Sequence, residues 1–129
     1  MDNATKNKWD RAALFFDVMA GYGAEKRWEA AKTELFSHMN GKVLFLAVGT
    51  GLDIPCFPEN KDIYGIDISP KMLEKAENRV QNYVGNMTTE VMDVHDLDME
   101  DNCFDQVFTS CTFCSVPNPI KGLKSLYRV

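Results

Sequence analysis

The apolar positions of this chain change their period several times. Across residues 8–20, Ala12, Phe15, Phe16 and Met19 recur at three- and four-residue spacing, which predicts a helix ending at Gly21 or Gly23. A second helix is predicted from about Ala24 to Met39, stopped by Asn40-Gly41. The helical period then disappears. Val43 to Val48 is apolar throughout, as in a parallel strand covered on both faces, and Ile63 to Ile68 forms a second strand. Between them Pro55 and Pro58 leave room for at most one or two helical turns. Ser69-Pro70 starts a firm helix, with serine as N-cap and proline at the first helical position; it runs to about Tyr83 and ends at Gly85. Met87 to Val94 alternates and predicts a third strand. Phe104 to Phe113 predicts a fourth, after the acidic turn at 99–102. Beyond the loop Pro117-Asn118-Pro119, the residues Ile120, Leu123, Leu126 and Tyr127 begin a last helix.

Strands alternating with helices define the fold class as α/β, a Rossmann-like doubly wound parallel sheet truncated after the fourth strand, with N-terminal helices. No repeat, low-complexity tract or linker divides the chain. It reads as one domain over residues 1–129, with a helical segment at 1–40 and the Rossmann-like part at 41–129.

The chemistry gathers at strand ends. The first strand runs into Gly49-Thr50-Gly51, where a backbone without side chains lets a ligand approach closely. Sixteen residues after Gly51, the second strand ends in Asp67, placed to accept hydrogen bonds from a ribose diol. Asp93 stands at the end of the third strand. Three neighbouring tips would line one crevice, where open α/β sheets bind ligands. On its own each signal is weak: Asp67 also reads as a solvated residue before a helix, and Asp93 as one of several loop carboxylates. A dinucleotide fingerprint needs a third glycine at position 54, where Ile54 stands, and this counts against NAD and FAD.

Composition narrows the field further. Of 129 residues, 45% are apolar and 26% charged, enough for a real core and a solvated surface. A net charge of −5 and a pI near 5.0 argue against nucleic acid as a partner. No apolar run approaches the roughly 20 residues of a membrane span, and the N-terminus lacks the apolar core of a signal peptide, so a cytoplasmic protein is expected. Cys56, Cys103, Cys111 and Cys114 are expected to be reduced, half-buried thiols. Cys111 and Cys114 form a C-x-x-C without the second pair of a zinc site and, at the end of a strand-like run, without the helix start of a redox motif; no metal site is read. His38 reads as a helix-end residue and His95 as a solvated partner of Asp93 and Asp96.

From roughly residue 40 onward the chain resembles the class I S-adenosylmethionine-dependent methyltransferases. It looks closest to the type 11 branch of ubiquinone/menaquinone-type and thiol- or phospholipid-methyltransferase-like proteins. Residues 43–51 match the family's V-L-D-L-G-C-G-T-G, 65–73 match G-x-D-x-S-x-x-M-L, and 93–105 match D-A-x-x-L-P-F-x-D-x-S-F-D. Residues 114–118 and 123–129 match the segment leading to its L-K-P-G-G turn. The resemblance implies S-adenosylmethionine as cofactor, with S-adenosylhomocysteine as product. It implies that Ala47, Gly49, Thr50 and Gly51 pass under methionine and ribose, and that Asp67 takes the ribose hydroxyls. Ile68 and Met72 would flank adenine, Asp93 and the Val94 N–H would take its edge, and Thr109, Ser110 and Cys111 would face the methionine end and the methyl acceptor. Two departures from the resemblance bear on affinity: Ala47 stands where the family often has an acid that helps to orient the cofactor's amino group, and Asp53 stands where a small residue is usual.

The expected function is methyl transfer to a small-molecule or lipid acceptor, with thiol, amine and quinone-like acceptors left open. The rivals are a non-catalytic S-adenosylmethionine- or S-adenosylhomocysteine-binding module, and a nucleotide-sugar or dinucleotide enzyme. No catalytic residue is named, because in-line displacement from a sulfonium gains much of its rate from positioning. Gly51→Val is expected to abolish binding while sparing the fold. Family members continue past Val129, so the fourth strand is expected to be an open edge through which the chain forms a homo-oligomer.

Overall fold

The structure is a computed structural model that describes residues 1–21 and 24–129. Three helices come first: α1 (Asn3–Ala12), α2 (Phe16–Gly21) and α3 (Ala24–Phe36). Then follow β1 (Lys42–Leu46), a short 3-10 turn (Ile54–Cys56), β2 (Asp62–Asp67), α4 (Pro70–Asn82), β3 (Asn86–Val91) and β4 (Gln106–Thr109). A second 3-10 turn (Phe113–Ser115) leads to α5 (Pro119–Arg128).

The single helix predicted over 8–20 is two. It begins earlier, because the Asp2 carboxylate accepts from the Ala4 and Thr5 N–H groups and caps α1. It breaks at residues 13–15, where Ala13 is buried while Leu14 and Phe15 are exposed, so the apolar spacing through Phe15 does not mark one buried face. The alternative end at Gly23 lies outside the described residues. Ser69 and Pro70 start α4 as expected: the Ser69 hydroxyl accepts from the Met72 N–H.

The four strands are all parallel, in the order β3-β2-β1-β4. Both faces of the central strand are packed. Val43 and Phe45 point into a core with Phe36, Phe57, Ile63 and Ala76, where Phe36, Phe45 and Phe57 meet edge to face at 4.8–5.6 Å. Leu44 and Leu46 point the other way, into a core with Ile66, Met92, Val94 and Leu126. This two-sided burial is what an unbroken apolar run in a strand requires.

The register aligns the carboxyl ends. Leu46 sits opposite Ile66 and Thr109, and Asp67 opposite Val91, so the chain leaves all four strands at one edge of the sheet. The third and fourth strands are shorter than expected. Residues 92–94 and 110–113 belong to connections beyond the pairing, which puts Asp93, Ser110 and Cys111 on loops past the strand tips. The connection from β3 to β4 is pinned by α5. The Arg128 guanidinium donates to the Leu97 and Met99 carbonyls, each at 2.6 Å, and pairs with Asp101 at 2.8 Å.

Candidate functional site

A cavity of about 350 Å³ opens at the carboxyl ends of the strands, within the usual range for small-molecule sites. Its floor comes from the strand ends, and its opposite wall from the N-terminal helices through Thr5, Trp9, Phe16, Trp28 and Lys32. Sequence reasoning gave none of those five a role. No local pattern marks them, because they meet the cavity only through the packing of helices far away in the chain.

Most of the expected residues gather here: Ala47, Gly49, Thr50, Asp67, Ile68, Met72, Asp93, Val94, Ser110 and Cys111 all line the cavity. Gly51 and Thr109 do not. A Cβ on Gly51 would lie 3.0 Å from the Ile54 side chain and 3.3 Å from Ala76, so this glycine lets the loop pack on α4. Thr109 turns its hydroxyl back to the Leu46 carbonyl at 3.0 Å and to the Thr112 hydroxyl at 2.6 Å. Gly49 has the opposite setting: φ is 58° and nothing lies within 4 Å of its missing Cβ. Ala47 shares this left-handed region at φ 62°.

Asp67 is buried, not solvated. Its Oδ2 accepts from the Gly49 N–H at 2.8 Å and its Oδ1 from the Ser69 N–H at 2.9 Å. Burial raises its pKa above the ordinary carboxylate value, and these backbone donors only partly offset that. Each carboxylate oxygen keeps a lone pair, so Asp67 retains capacity to accept from a diol.

Asp93 is buried as well. Its Oδ2 accepts from the Asp2 N–H at 2.8 Å, and its Oδ1 from the His95 N–H at 2.9 Å. His95 Nδ1 lies 2.9 Å from the same Oδ1, and its Nε2 lies 3.1 Å from the Asn118 carbonyl oxygen and 3.2 Å from the Asn118 nitrogen. His95 is thus a half-buried clamp on Asp93, with no bond to Asp96. Burial works against the Asp93 charge, yet the His95 and Asp2 donors and the neighbouring imidazole hold its pKa below the ordinary value.

The glycine loop is tied to the helical wall. Thr50 donates to Asp17 on α2 at 2.5 Å, and Arg79 on α4 donates to the Thr50 carbonyl at 2.8 Å and to Asp17 at 3.3 Å. Asp10 on α1 receives the Ser69 hydroxyl at 2.5 Å and pairs with Lys6 at 2.7 Å. Lys32 on α3 and Asp53 after β1 form an ion pair of 2.6 Å in the cavity wall. Cys111 and Cys114 are exposed, contrary to the half-buried expectation, because the fourth strand stops at Thr109 and the C-x-x-C lies on the following turn. His38 is exposed in the turn after α3, where its backbone carbonyl accepts from Gln106.

A parallel sheet in this strand order, with a glycine loop and two buried acids around one cavity at its carboxyl edge, defines a Rossmann-like α/β domain. Residues 44–129 match the methyltransferase domain family, and the chain belongs to it. It is 32% identical over 106 residues to a phosphatidylethanolamine N-methyltransferase of Cereibacter sphaeroides, covering 78% of this chain and 52% of that protein. It is 33% identical over 129 residues to a demethylmenaquinone methyltransferase of Thermotoga maritima, covering 94% and 54%. The solved structure of an S-adenosylmethionine-dependent methyltransferase from Aquifex aeolicus superposes with a TM-score of 0.66 at 25% identity, covering 80% of this chain and 60% of that one. The chain spans about half the length of the curated relatives it matches.

Proposed function

We propose that this chain binds S-adenosylmethionine in the cavity at the strand tips and serves a methyltransferase acting on a small-molecule or lipid acceptor. The observation that carries this reading is the meeting of Gly49, Asp67 and Asp93 on one cavity of small-molecule size. Open backbone space at Gly49 suits close passage of a ligand chain. Asp67, fixed by two backbone donors, presents its remaining lone pairs to a ribose diol. Ile68 and Met72 offer apolar contact to a base, and Asp93 with the Val94 N–H offers an acceptor and a donor to its edge. The similarity to a lipid-amine and a quinone methyltransferase supports the acceptor class.

When bound, the cofactor supplies an electrophilic methyl group on a sulfonium. The chain's own contribution is positioning. Asp67 and Asp93 are locked by backbone hydrogen bonds before any ligand arrives, so little reorganisation is needed on binding. Trp9, Phe16 and Trp28 contribute aromatic surface to the cavity wall facing the sheet.

Calorimetry with S-adenosylmethionine, S-adenosylhomocysteine and NAD tests this reading. The two sulfur nucleosides are expected to bind and NAD is not. Asp67→Ala removes charge-assisted bonds to the ribose and is expected to cost roughly 1.5–3 kcal/mol of binding. Unchanged affinity in that variant removes Asp67 from the site. Binding without transfer to any thiol, amine or quinone acceptor would mark the chain as a binding module.

A further inference from the structure

Among the described residues, Asp93 takes most of its hydrogen bonds from one neighbour. The backbone N–H and the ring Nδ1 of His95 both lie 2.9 Å from its Oδ1. Oδ2 receives the Asp2 N–H at 2.8 Å. A carboxylate offers about four lone pairs, two on each oxygen. His95 fills both positions on Oδ1, and one position on Oδ2 stays open to a ligand.

The other side of the imidazole reaches a different element. Nε2 lies 3.1 Å from the Asn118 carbonyl oxygen and 3.2 Å from the Asn118 nitrogen. Either form of Nε2 finds a partner there: protonated, it donates to the carbonyl, and unprotonated, it accepts from the N–H. Asn118 is the N-cap of α5. Its side chain accepts from the Lys121 N–H at 3.0 Å, and its carbonyl accepts from the Gly122 N–H at 3.1 Å. One imidazole thus spans from the acid after β3 to the start of α5. Its side chain is only 13% exposed, so both contacts are largely sheltered from water.

An apolar joint runs beside the polar one. A Cβ on Gly122 would lie 3.3 Å from Val94, 3.4 Å from Phe113 and 3.5 Å from Val116. Helix α5 therefore seats closely on the residue that follows Asp93, and both Val94 and Val116 line the cavity. Asn118, Lys121 and Gly122 do not line it. A ligand in the cavity reaches these three through other residues alone.

We propose that His95 is a positioning residue that transmits occupancy of Asp93 to the start of α5. The proposal rests on the reading that this cavity takes the nucleoside of S-adenosylmethionine. A ligand donor on the open Oδ2 position fixes the carboxylate, the carboxylate fixes the imidazole, and the imidazole fixes Asn118. Ser115, Val116 and Pro117 lead into that cap and line the cavity. A second ligand against these residues then meets a wall already ordered, and linkage requires that it strengthen nucleoside binding in return.

Amide exchange read residue by residue by NMR, with and without S-adenosylhomocysteine, tests this in the unaltered chain, His95→Phe and His95→Gln. Calorimetry gives the affinities and circular dichroism verifies folding. In the unaltered chain the ligand is expected to slow exchange at Asn118, Lys121 and Gly122 about fivefold or more. In His95→Phe that protection is expected to vanish while the Val94 amide stays protected, and affinity is expected to fall about fivefold. His95→Gln keeps a polar group and is expected to recover part of both. A role in stability alone would raise exchange equally with and without ligand; that result, an unchanged ratio in His95→Phe, overturns the proposal. So does ligand binding that leaves the start of α5 unprotected in the unaltered chain, with the cofactor reading intact. Where His95→Phe does not fold, His95→Gln decides: reduced protection supports the proposal and undiminished protection overturns it. If the unaltered chain binds no S-adenosylhomocysteine, the cofactor reading fails and the proposal falls with it.

Discussion

Gly49 and Gly51 both hold positive φ, 58° and 83°, but they face different surroundings. Beyond Gly49 there is open cavity; beyond Gly51 there are Ile54, Ala76 and Arg79. Substitution should therefore separate them. Gly51→Val adds branched bulk against α4 in a left-handed backbone, and is expected to cost the fold about 2–4 kcal/mol, read as a lower denaturation midpoint. Gly49→Ala carries only the left-handed cost, about 1–2 kcal/mol, and should weaken nucleoside binding more than Gly51→Ala does relative to its loss of stability. A stable Gly51→Val protein that fails to bind would restore the first expectation for this residue. Both residues stand in one short motif, and spacing could not assign them different partners. The direction of each missing Cβ depends on α4, which the local motif does not reveal.

Elements show the same division between what is local and what is not. The central strands, the Ser69-Pro70 start of α4 and the proline-limited turn after β1 were readable, because a two-sided apolar run, an N-cap and a ring-fixed φ act within a few residues. The break between α1 and α2 was not, because it depends on where α1 docks. That docking rests on carboxylates. Asp10 accepts from Lys6 and Ser69, and the Lys6 ammonium and the Ser69 hydroxyl hold its pKa below the ordinary value. Asp93, lowered against its burial, receives the first turn through the Asp2 N–H. For carboxylates depressed in the folded state, the stabilisation is present above the unfolded pKa of about 4 and is lost as pH falls through the folded value. The expected outcome is release of α1 in acid, ahead of the sheet. Trp9 fluorescence in a Trp28→Phe background, followed beside far-ultraviolet circular dichroism, measures it. Coincident transitions, or α1 release that Asp10→Asn leaves at the same pH, would count against this account.

At the scale of the molecule, the sheet ends in β3 on one side and β4 on the other. The outer edge of β4 has no pairing partner among the described residues, and Val107 on it is exposed. Nothing on Gln106–Thr109 protects such an edge: no charge and no proline stand there. On α5, Ile120, Leu123 and Tyr127 add an exposed apolar stripe at helical spacing. We propose that the 129-residue chain self-associates through this region, most simply as a two-fold dimer. Sedimentation equilibrium should give twice the monomer mass, and Val107→Lys should return it to monomer. A monomer at tens of micromolar, before any substitution, would refute the idea.

The clasp formed by Arg128 sets an order of events in the cell. Residues 92–105, which carry Asp93 and His95, have no strand or helix of their own and are held at Leu97 and Met99 by that one guanidinium. A ribosome adds roughly 5–20 residues per second and exposes the chain from its N-terminus. The glycine loop and Asp67 leave the exit tunnel seconds before the side chain that steadies the remaining wall. A nascent chain therefore holds one side of the cavity unframed until residue 128 has emerged.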